Sequence, residues 1–429
     1  MNYFEAISFI YSYIPMFHVV GKKAYKADLN NTLALDRHLN FPHKNIKTIH
    51  IAGTNGKGSV SHMLASVLQD SGYRTGLFTS PHIKDFRERI KVNGLMISED
   101  EVADFITKNK SFIEKIKPSF FELTTLMAFD HFRLHEVEFA LIETGLGGRL
   151  DSTNIIKPII SVITNISWDH ADLLGDSLEK IAAEKAGIIK QNVPIIIGEH
   201  QKEISIVFED IADDKNAELI YADNIYIVKD SIQTVDEMQM FRIEKNKKSF
   251  LEGLKTPLLG NYQRKNIATV LASIEKLKEK GLQINDSNIY RGLKNVINIT
   301  GLKGRWQVLS QKPLVICDTG HNEGGIKQIV LQLEKLKKDK LHIVFGLVAD
   351  KEVIEILKLL PKNAIYYFTN ADSPRALKAD ELKKVANELG LKGECFNTVQ
   401  AAFLKAKNTA KPDDVVFVGG STFVVAEVL

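Results

Sequence analysis

Only two cysteines, Cys317 and Cys395, occur in 429 residues. Disulfides therefore cannot staple a chain of this size, and a reducing compartment is expected. No apolar run approaches the ~20 residues of a membrane-spanning helix. The opening Met1-Asn2-Tyr3-Phe4-Glu5 lacks the basic start of a secretion signal. Neither sign of charge is in excess, with 56 basic residues against 53 acidic ones and a net charge of +3. That near-balance removes the electrostatic footprint of a nucleic-acid partner, yet leaves room for small anions held by a few local groups. Internal repeats and low-complexity tracts are also missing. The expectation is a cytoplasmic, soluble protein with neither a membrane nor a nucleic acid as partner.

What is present is an ordinary globular composition, 44% hydrophobic and 25% charged, at a length that suits two or three domains. Strand-like runs at Thr48–Ala52, Gly76–Thr79, Phe139–Glu143, Ile159–Asn165 and Val193–Gly198 alternate with helical segments such as Val60–Ser71 and Ser177–Lys190. Strands separated by helices imply a mostly parallel sheet covered on both faces. Residues 201–250 read as irregular, a small antiparallel insertion or sheet edge. Asn261–Lys280 has an apolar helical face formed by Ile267, Val270, Leu271, Ile274 and Leu277. A second series starts near Trp306, with strands Leu314–Cys317, Leu341–Phe345, Ala364–Phe368 and Val415–Val418. Its helices are expected at Gly324–Lys340, Lys351–Leu360 and Ala379–Leu389. The domain boundary is placed at residues 297/298, giving 1–297 and 298–429.

The chemistry concentrates in four stretches. In the first, the strand ending at Ala52 runs into Gly53-Thr54-Asn55-Gly56-Lys57-Gly58-Ser59 and then a helix. Glycines let backbone N–H groups close on phosphate oxygens, the helix N-terminus adds positive potential, and a lysine neutralises the β- and γ-phosphates. The match to the general P-loop is imperfect, because Ile51 stands where a glycine is usual and Gly58 separates lysine from hydroxyl. A surface turn capping a helix would use some of the same residues. The second stretch, Glu143-Thr144-Gly145-Leu146-Gly147-Gly148-Arg149-Leu150-Asp151-Ser152-Thr153-Asn154, sets a carboxylate at a strand end, where open α/β sheets place ligands. Third, Asn165-Ile166-Ser167-Trp168-Asp169-His170 follows another apolar strand. The fourth, Glu184-Lys185-Ala186-Gly187, reads by spacing alone as a helix-surface charge before a stop.

Taken in order, these stretches resemble the folylpolyglutamate synthase and dihydrofolate synthase family, a branch of the Mur ligase superfamily. Ser80-Pro81-His82, Phe121-Glu122 with Thr124, Gly260–Asn266, Gly304-Arg305 and Asp318–Asn322 extend the resemblance over nearly the whole chain. It implies an α/β protein with a three-layer, Mur-ligase-like N-terminal P-loop ATPase domain and a smaller C-terminal α/β domain. The active site would lie between them. By resemblance, Gly53–Ser59, Asn266, Arg305 and Asp318 would contact ATP, the co-substrate. Ser80 and Glu143 are similar to ligands of one magnesium ion, and His170 to a ligand of a second. Lys185 matches a lysine carried as an N-carboxylated side chain, and with Lys57 and His321 would serve catalysis. The folate would lie near Phe120, Phe121, Glu122, Leu123, Leu150, Asp151 and Ser152, with Ala27–Leu29, and so Asp28, a further match.

Such a ligase would join L-glutamate to dihydropteroate or to a reduced folate through an acyl phosphate, and family habit suggests a monomer. Two other readings stay open at this point: a Mur-type ligase acting on a cell-wall peptide precursor, and a phosphate-loop regulatory protein. Several positions depart from the family pattern. Tyr262 stands where histidine is common, Thr144 where valine is, Ser167-Trp168 where smaller residues are, and Gly301–Arg305 lacks the usual proline.

Overall fold

The computed structural model describes residues 1–14, 28–349 and 353–429. Ala27, the first residue of the expected Ala27–Leu29 wall, and Lys351, the first of an expected helix, lie outside the described residues. The chain forms two compact units, Met1–Pro257 with Gln263–Leu302, and Leu258–Tyr262 with Lys303–Leu429.

Among the described residues, the main sheet of the first unit has eight strands: β1 (Lys47–Ala52), β2 (Thr75–Phe78), β3 (Ile90–Val92), β4 (Leu95–Met96), β5 (Phe139–Glu143), β6 (Ile160–Ile163), β7 (Ile195–Ile197) and β8 (Leu219–Tyr221). Their order across the sheet is β4-β3-β2-β5-β1-β6-β7-β8. From β2 to β8 every pairing is parallel, while β3 pairs antiparallel with both β2 and β4 at the other edge. Strands β1, β2 and β5 to β7 are buried almost throughout, which requires cover on both faces and explains their unbroken apolar composition. On β5, Ala140 and Ile142 join a core with Phe129 and Phe132 of helix Phe120–Leu134 and with Val102 and Ile106 of helix Glu99–Ile116. Leu141, one residue out of phase, turns to the opposite face. Helices Lys57–Asp70 and Gln263–Glu279 pack on the same sheet and on each other.

The segment read as irregular is more ordered than its composition suggests. It contains helix Ser205–Asp214 and strand β8, which joins the parallel sheet beside β7. A separate antiparallel sheet of β9 (Tyr226–Gln233), β10 (Gln239–Lys245) and β11 (Lys248–Thr256) follows.

Among the described residues the second unit has six strands, β12 (Gln307–Gln311), β13 (Leu314–Cys317), β14 (Leu341–Phe345), β15 (Ile365–Thr369), β16 (Gly393–Phe396) and β17 (Val415–Gly419), in the order β12-β13-β17-β14-β15-β16. Only β12 is antiparallel. Helix Glu323–Lys335 stops five residues before the expected Lys340. Leu336 turns extended there, and the Lys338 ammonium donates to the carbonyls of Leu333 at 2.6 Å and Leu336 at 3.1 Å. A cation on the last turn's carbonyls closes the helix in place of another turn. Among the described residues, no helix is long and apolar enough to cross a membrane.

Candidate active site

The site residues of the first unit meet because four adjacent strands end together. Ile51 pairs with Glu143, Ala52 with Ile163, and Phe78 with Ile142. The carboxyl ends of β2, β5, β1 and β6 therefore deliver Ser80, Glu143, Gly53 and Thr164 to one edge of the sheet. The chain leaves β1 for β2 past the intervening β5, so this edge is a switch point of strand order, where open α/β sheets hold ligands.

The loop after β1 is held from both sides. Thr54 N–H donates to the Asn165 carbonyl at 2.8 Å, and Asn55 N–H to the Asn165 side-chain oxygen at 3.0 Å. The Thr164 hydroxyl donates to the Asn55 carbonyl at 2.6 Å, while Thr54 Oγ1 accepts from Ser167 N–H at 3.0 Å. Glycine is required at two points. Gly53 has φ +137°, and a Cβ there would lie 1.9 Å from Thr164 Oγ1. Gly56 has φ +92°, with Asn266 Oδ1 2.3 Å from where a Cβ would stand. Helix Lys57–Asp70 begins directly after Gly56, so its first N–H groups and its dipole face the loop. Ser59 is buried and accepts from Gln263 Nε2 at 3.3 Å, and the Asn266 amide donates to Gln263 Oε1 at 2.8 Å.

Two lysines converge on one oxygen. Lys57 Nζ donates to the Gly53 carbonyl at 2.9 Å and to that of Thr54 at 3.1 Å. Lys185, from helix Leu178–Ala186, donates to the same Gly53 carbonyl at 3.1 Å. Lys185 is only 4% exposed. Burial, followed by the Lys57 charge, pulls its amine down to about 7, against which Asp169 and Asp151 act weakly. A lysine that spacing presents as a surface charge is thus a buried amine, beside the phosphate loop, that loses its proton far more readily than an exposed lysine.

Glu143 is buried, and its Oε2 accepts from Ser80 N–H at 3.1 Å. His170 caps the short helix Ala171–Leu174 with φ +50°, its Nε2 3.6 Å from Asp169 Oδ1. Asp151 is saturated by its own loop: Oδ2 accepts from the N–H groups of Gly145 and Leu146, each at 2.8 Å, and Oδ1 from Thr153. That arrangement shapes the glycine turn and leaves the carboxylate little capacity for a ligand. Thr153 in turn meets His50 Nε2 at 2.7 Å, and burial drives that imidazole down to about 3.

The wall expected for folate is mixed. Leu123 is fully inside the core and Phe120 nearly so, whereas Phe121 and Leu150 are half-buried. Phe121 lies against Gly145, where a Cβ would meet its ring at 2.6 Å. Glu122 caps its own helix through Ser119, Ser152 is buried, and Asp28 is exposed, holding Asn30 N–H at 2.8 Å. Arg89, part of the Glu88-Arg89-Ile90 stretch that shares the family resemblance, had no role assigned from the sequence. This buried guanidinium lies over the Phe120 ring at 5.0 Å and donates to His82 Nδ1 at 2.8 Å.

In the second unit the loop after β13 is organised around Asp318. Its Oδ2 accepts from the Tyr262 hydroxyl at 2.6 Å and Trp306 N–H at 2.7 Å, and its Oδ1 from Gly320 N–H at 2.8 Å. Burial pushes the carboxyl up, and these donors with nearby Arg305 pull it back. The Arg305 guanidinium bonds Thr319 Oγ1 and donates to the Gly304 carbonyl at 3.2 Å. His321 is exposed, with Nδ1 3.0 Å from the Thr319 carbonyl. A carbonyl only accepts, so Nδ1 carries the proton and neutral His321 keeps Nε2 as an acceptor. The departure at Tyr262 therefore has a local consequence, a third donor on Asp318.

Residues 51–274 match the family model described as Mur ligase middle domain, and residues 304–422 that described as Mur ligase, glutamate ligase domain. The chain is 32% identical to the dihydrofolate synthase/folylpolyglutamate synthase of Bacillus subtilis, over 95% of both chains. It superposes on Escherichia coli FolC in complex with DHPP and ADP with a TM-score of 0.87 and 29% identity, covering 100% of this chain and 97% of that one. The bifunctional folylpolyglutamate synthase/dihydrofolate synthase with Mn, AMPPNP and L-glutamate bound gives a TM-score of 0.84 at 28% identity, covering 100% of this chain and 97% of that one.

Proposed function

The chain belongs to the Mur ligase family, in the group of dihydrofolate synthases/folylpolyglutamate synthases, and from that premise we propose how its own residues carry out the group's chemistry. It is an ATP-dependent ligase that adds glutamate to a folate. The observation that carries the assignment of residues is the delivery of Ser80, Glu143, Gly53 and Thr164 to one sheet edge by adjacent strands.

An amide does not form spontaneously from a carboxylate in water, so the acceptor's carboxylate is first activated. Its oxygen attacks the γ-phosphorus of ATP, ADP leaves, and an acyl phosphate results. The glutamate amine then attacks the acyl carbon and expels phosphate. Gly53–Ser59 and Asn266 hold the phosphates in line, and Lys57 leaves its two loop carbonyls to neutralise the transferring phosphoryl group. Arg305 and Asp318 are the second unit's contacts to ATP, with Asp318 chiefly fixing the loop. His321, whose Nε2 accepts, takes the proton from the incoming amine.

The oxygen donors of Ser80 and buried Glu143 suit a hard divalent cation, and His170 beside Asp169 suits a second, more nitrogen-tolerant position. Two magnesium ions held there would offset charge on the phosphate oxygens. Lys185 serves this centre as a carbamate. Its deprotonated nitrogen bonds to the carbon of CO2 and sheds a proton, turning a buried neutral amine into an anion that the neighbouring positive charge of Lys57 stabilises. Half-buried Phe121 and Leu150 line the folate, with Ser152 and the loop fixed by Asp151 behind them. The enzyme acts as a monomer in the cytoplasm, a placement supported by the two unpaired cysteines.

The assay that tests this compares ATP-dependent glutamate incorporation into dihydropteroate and into tetrahydrofolate. Expected is ADP release that depends on one or both acceptors, with one glutamate added per ADP. Turnover only with a nucleotide-linked muramyl acceptor, or nucleotide binding with no acceptor-dependent ADP release, would overturn the reading.

A further inference from the structure

Away from the phosphate loop, three metal-ligating side chains gather at the antiparallel edge of the first unit's sheet. His131 lies in the last turn of helix Phe120–Leu134 and His135 caps its end, and a spacing of four puts both rings on one side of the helix. Glu101 comes from the first turn of helix Glu99–Ile116. Its Oε1 is 2.5 Å from His135 Nε2 and 3.3 Å from His131 Nδ1, and the two rings are 4.3 Å apart. One donor atom from each residue lies within 4.8 Å of the others.

From this geometry we infer that Glu101, His131 and His135 bind one divalent transition-metal ion of the zinc class. Donors placed ~2.0–2.2 Å from a tetrahedral zinc ion stand ~3.4 Å from each other. The observed spacing reaches that with side-chain adjustments alone. Glu101 is also held from behind: its Oε2 accepts from the Ser98 N–H at 2.9 Å and from the Ser98 hydroxyl at 2.7 Å. The capping box thereby points the other oxygen at the imidazoles, as outer hydrogen bonds do for metal-binding carboxylates. Two imidazole nitrogens and one carboxylate oxygen favour zinc, cobalt or nickel over magnesium, which takes oxygen and water.

Three protein ligands leave a fourth position, and it has somewhere to open. All three residues line a cavity of about 540 Å³ with Arg74, Asn93 and Met96. Glu136, which also lines this cavity, is already paired with Arg74 at 3.1 Å, so water is the expected fourth ligand. The cavity is walled by β3 and β4 residues, whereas the phosphate loop follows the central β1.

Metal-stripped, full-length protein titrated calorimetrically with zinc chloride, in excess magnesium and without nucleotide, tests the site. Expected is one zinc ion per chain, a zinc-induced rise in Tm, and at least ~10-fold weaker binding in His135→Ala and in Glu101→Gln. Glutamine preserves the capping box, so Glu101→Gln reports on the metal and not on the helix. Circular dichroism checks that both variants fold. Equal zinc affinity in wild type and in both variants would overturn the inference. So would the absence of zinc binding to wild type, which would leave these residues as an ion pair and nothing more.

Discussion

The phosphate loop and helix Leu178–Ala186 present two lysines to one carbonyl oxygen, that of Gly53, yet in different surroundings. Lys57 is half-buried at a helix N-terminus, where departure costs it two hydrogen bonds that phosphate oxygens replace. Lys185 is walled in, and burial brings its amine down to about 7. Two full positive charges on one oxygen in a dry site repel strongly, which favours the uncharged form of buried Lys185 and leaves its nitrogen free to react as a nucleophile. The contrast teaches that residue type does not decide a lysine's role here. Solvent does.

The largest effect that would sharpen this contrast is Lys57→Ala. ATP turnover should fall ~100- to 1,000-fold, as for loss of one preorganised transition-state donor, with Tm little changed. Near-normal ligation by a folded variant would break the assignment. Lys185→Ala comes next, expected to cost ~10- to 100-fold, in the range of ligand-supporting groups around a metal. Short-chain carboxylic acids should partly restore its activity by supplying the missing anion, which they should not do for Lys57→Ala.

Stability against pH separates the two lysines without any substrate. In CO2-free buffer Lys185 stays unmodified, with a folded value of about 7 against the ordinary 10.5. Between those values the unfolded chain binds a proton that the folded chain does not, so stability rises with pH across the window. Its slope should reach at most ~1.4 kcal/mol per pH unit. Chemical denaturation of wild type and Lys185→Met should differ by this slope, and parallel curves would count against a depressed Lys185. The smallest effect concerns the second unit. Tyr262→Phe removes one of three donors from Asp318 and should cost ~1 kcal/mol of stability, read by urea unfolding, with ligation largely kept.

Much of the first unit's sheet was legible because its strands are continuous apolar runs bounded by glycine, and the residue types of Gly53–Ser59 point to a phosphate without excluding a helix-capping turn. Helix Ser205–Asp214 was not, since its short apolar clusters fit a strand as readily as a helix. Packing against helix Leu178–Ala186 is what the sequence does not display. Lys185 was reachable only through resemblance, because its burial is tertiary. For the same reason the saturation of Asp318 stayed hidden: Tyr262 and Trp306 reach it from 56 and 12 positions away. His131 and His135 show a spacing of four in the sequence, but Glu101 joins them from a second helix and only the fold brings it there.

The account turns on Lys185 working as an anion, and labelled bicarbonate tests that directly. Magnetic resonance of wild-type enzyme equilibrated with isotopically labelled bicarbonate should show a protein-bound carbamate signal that disappears in Lys185→Ala and persists in Lys57→Ala. A fully active enzyme with no carbamate signal, or a signal that survives Lys185→Ala, would contradict it.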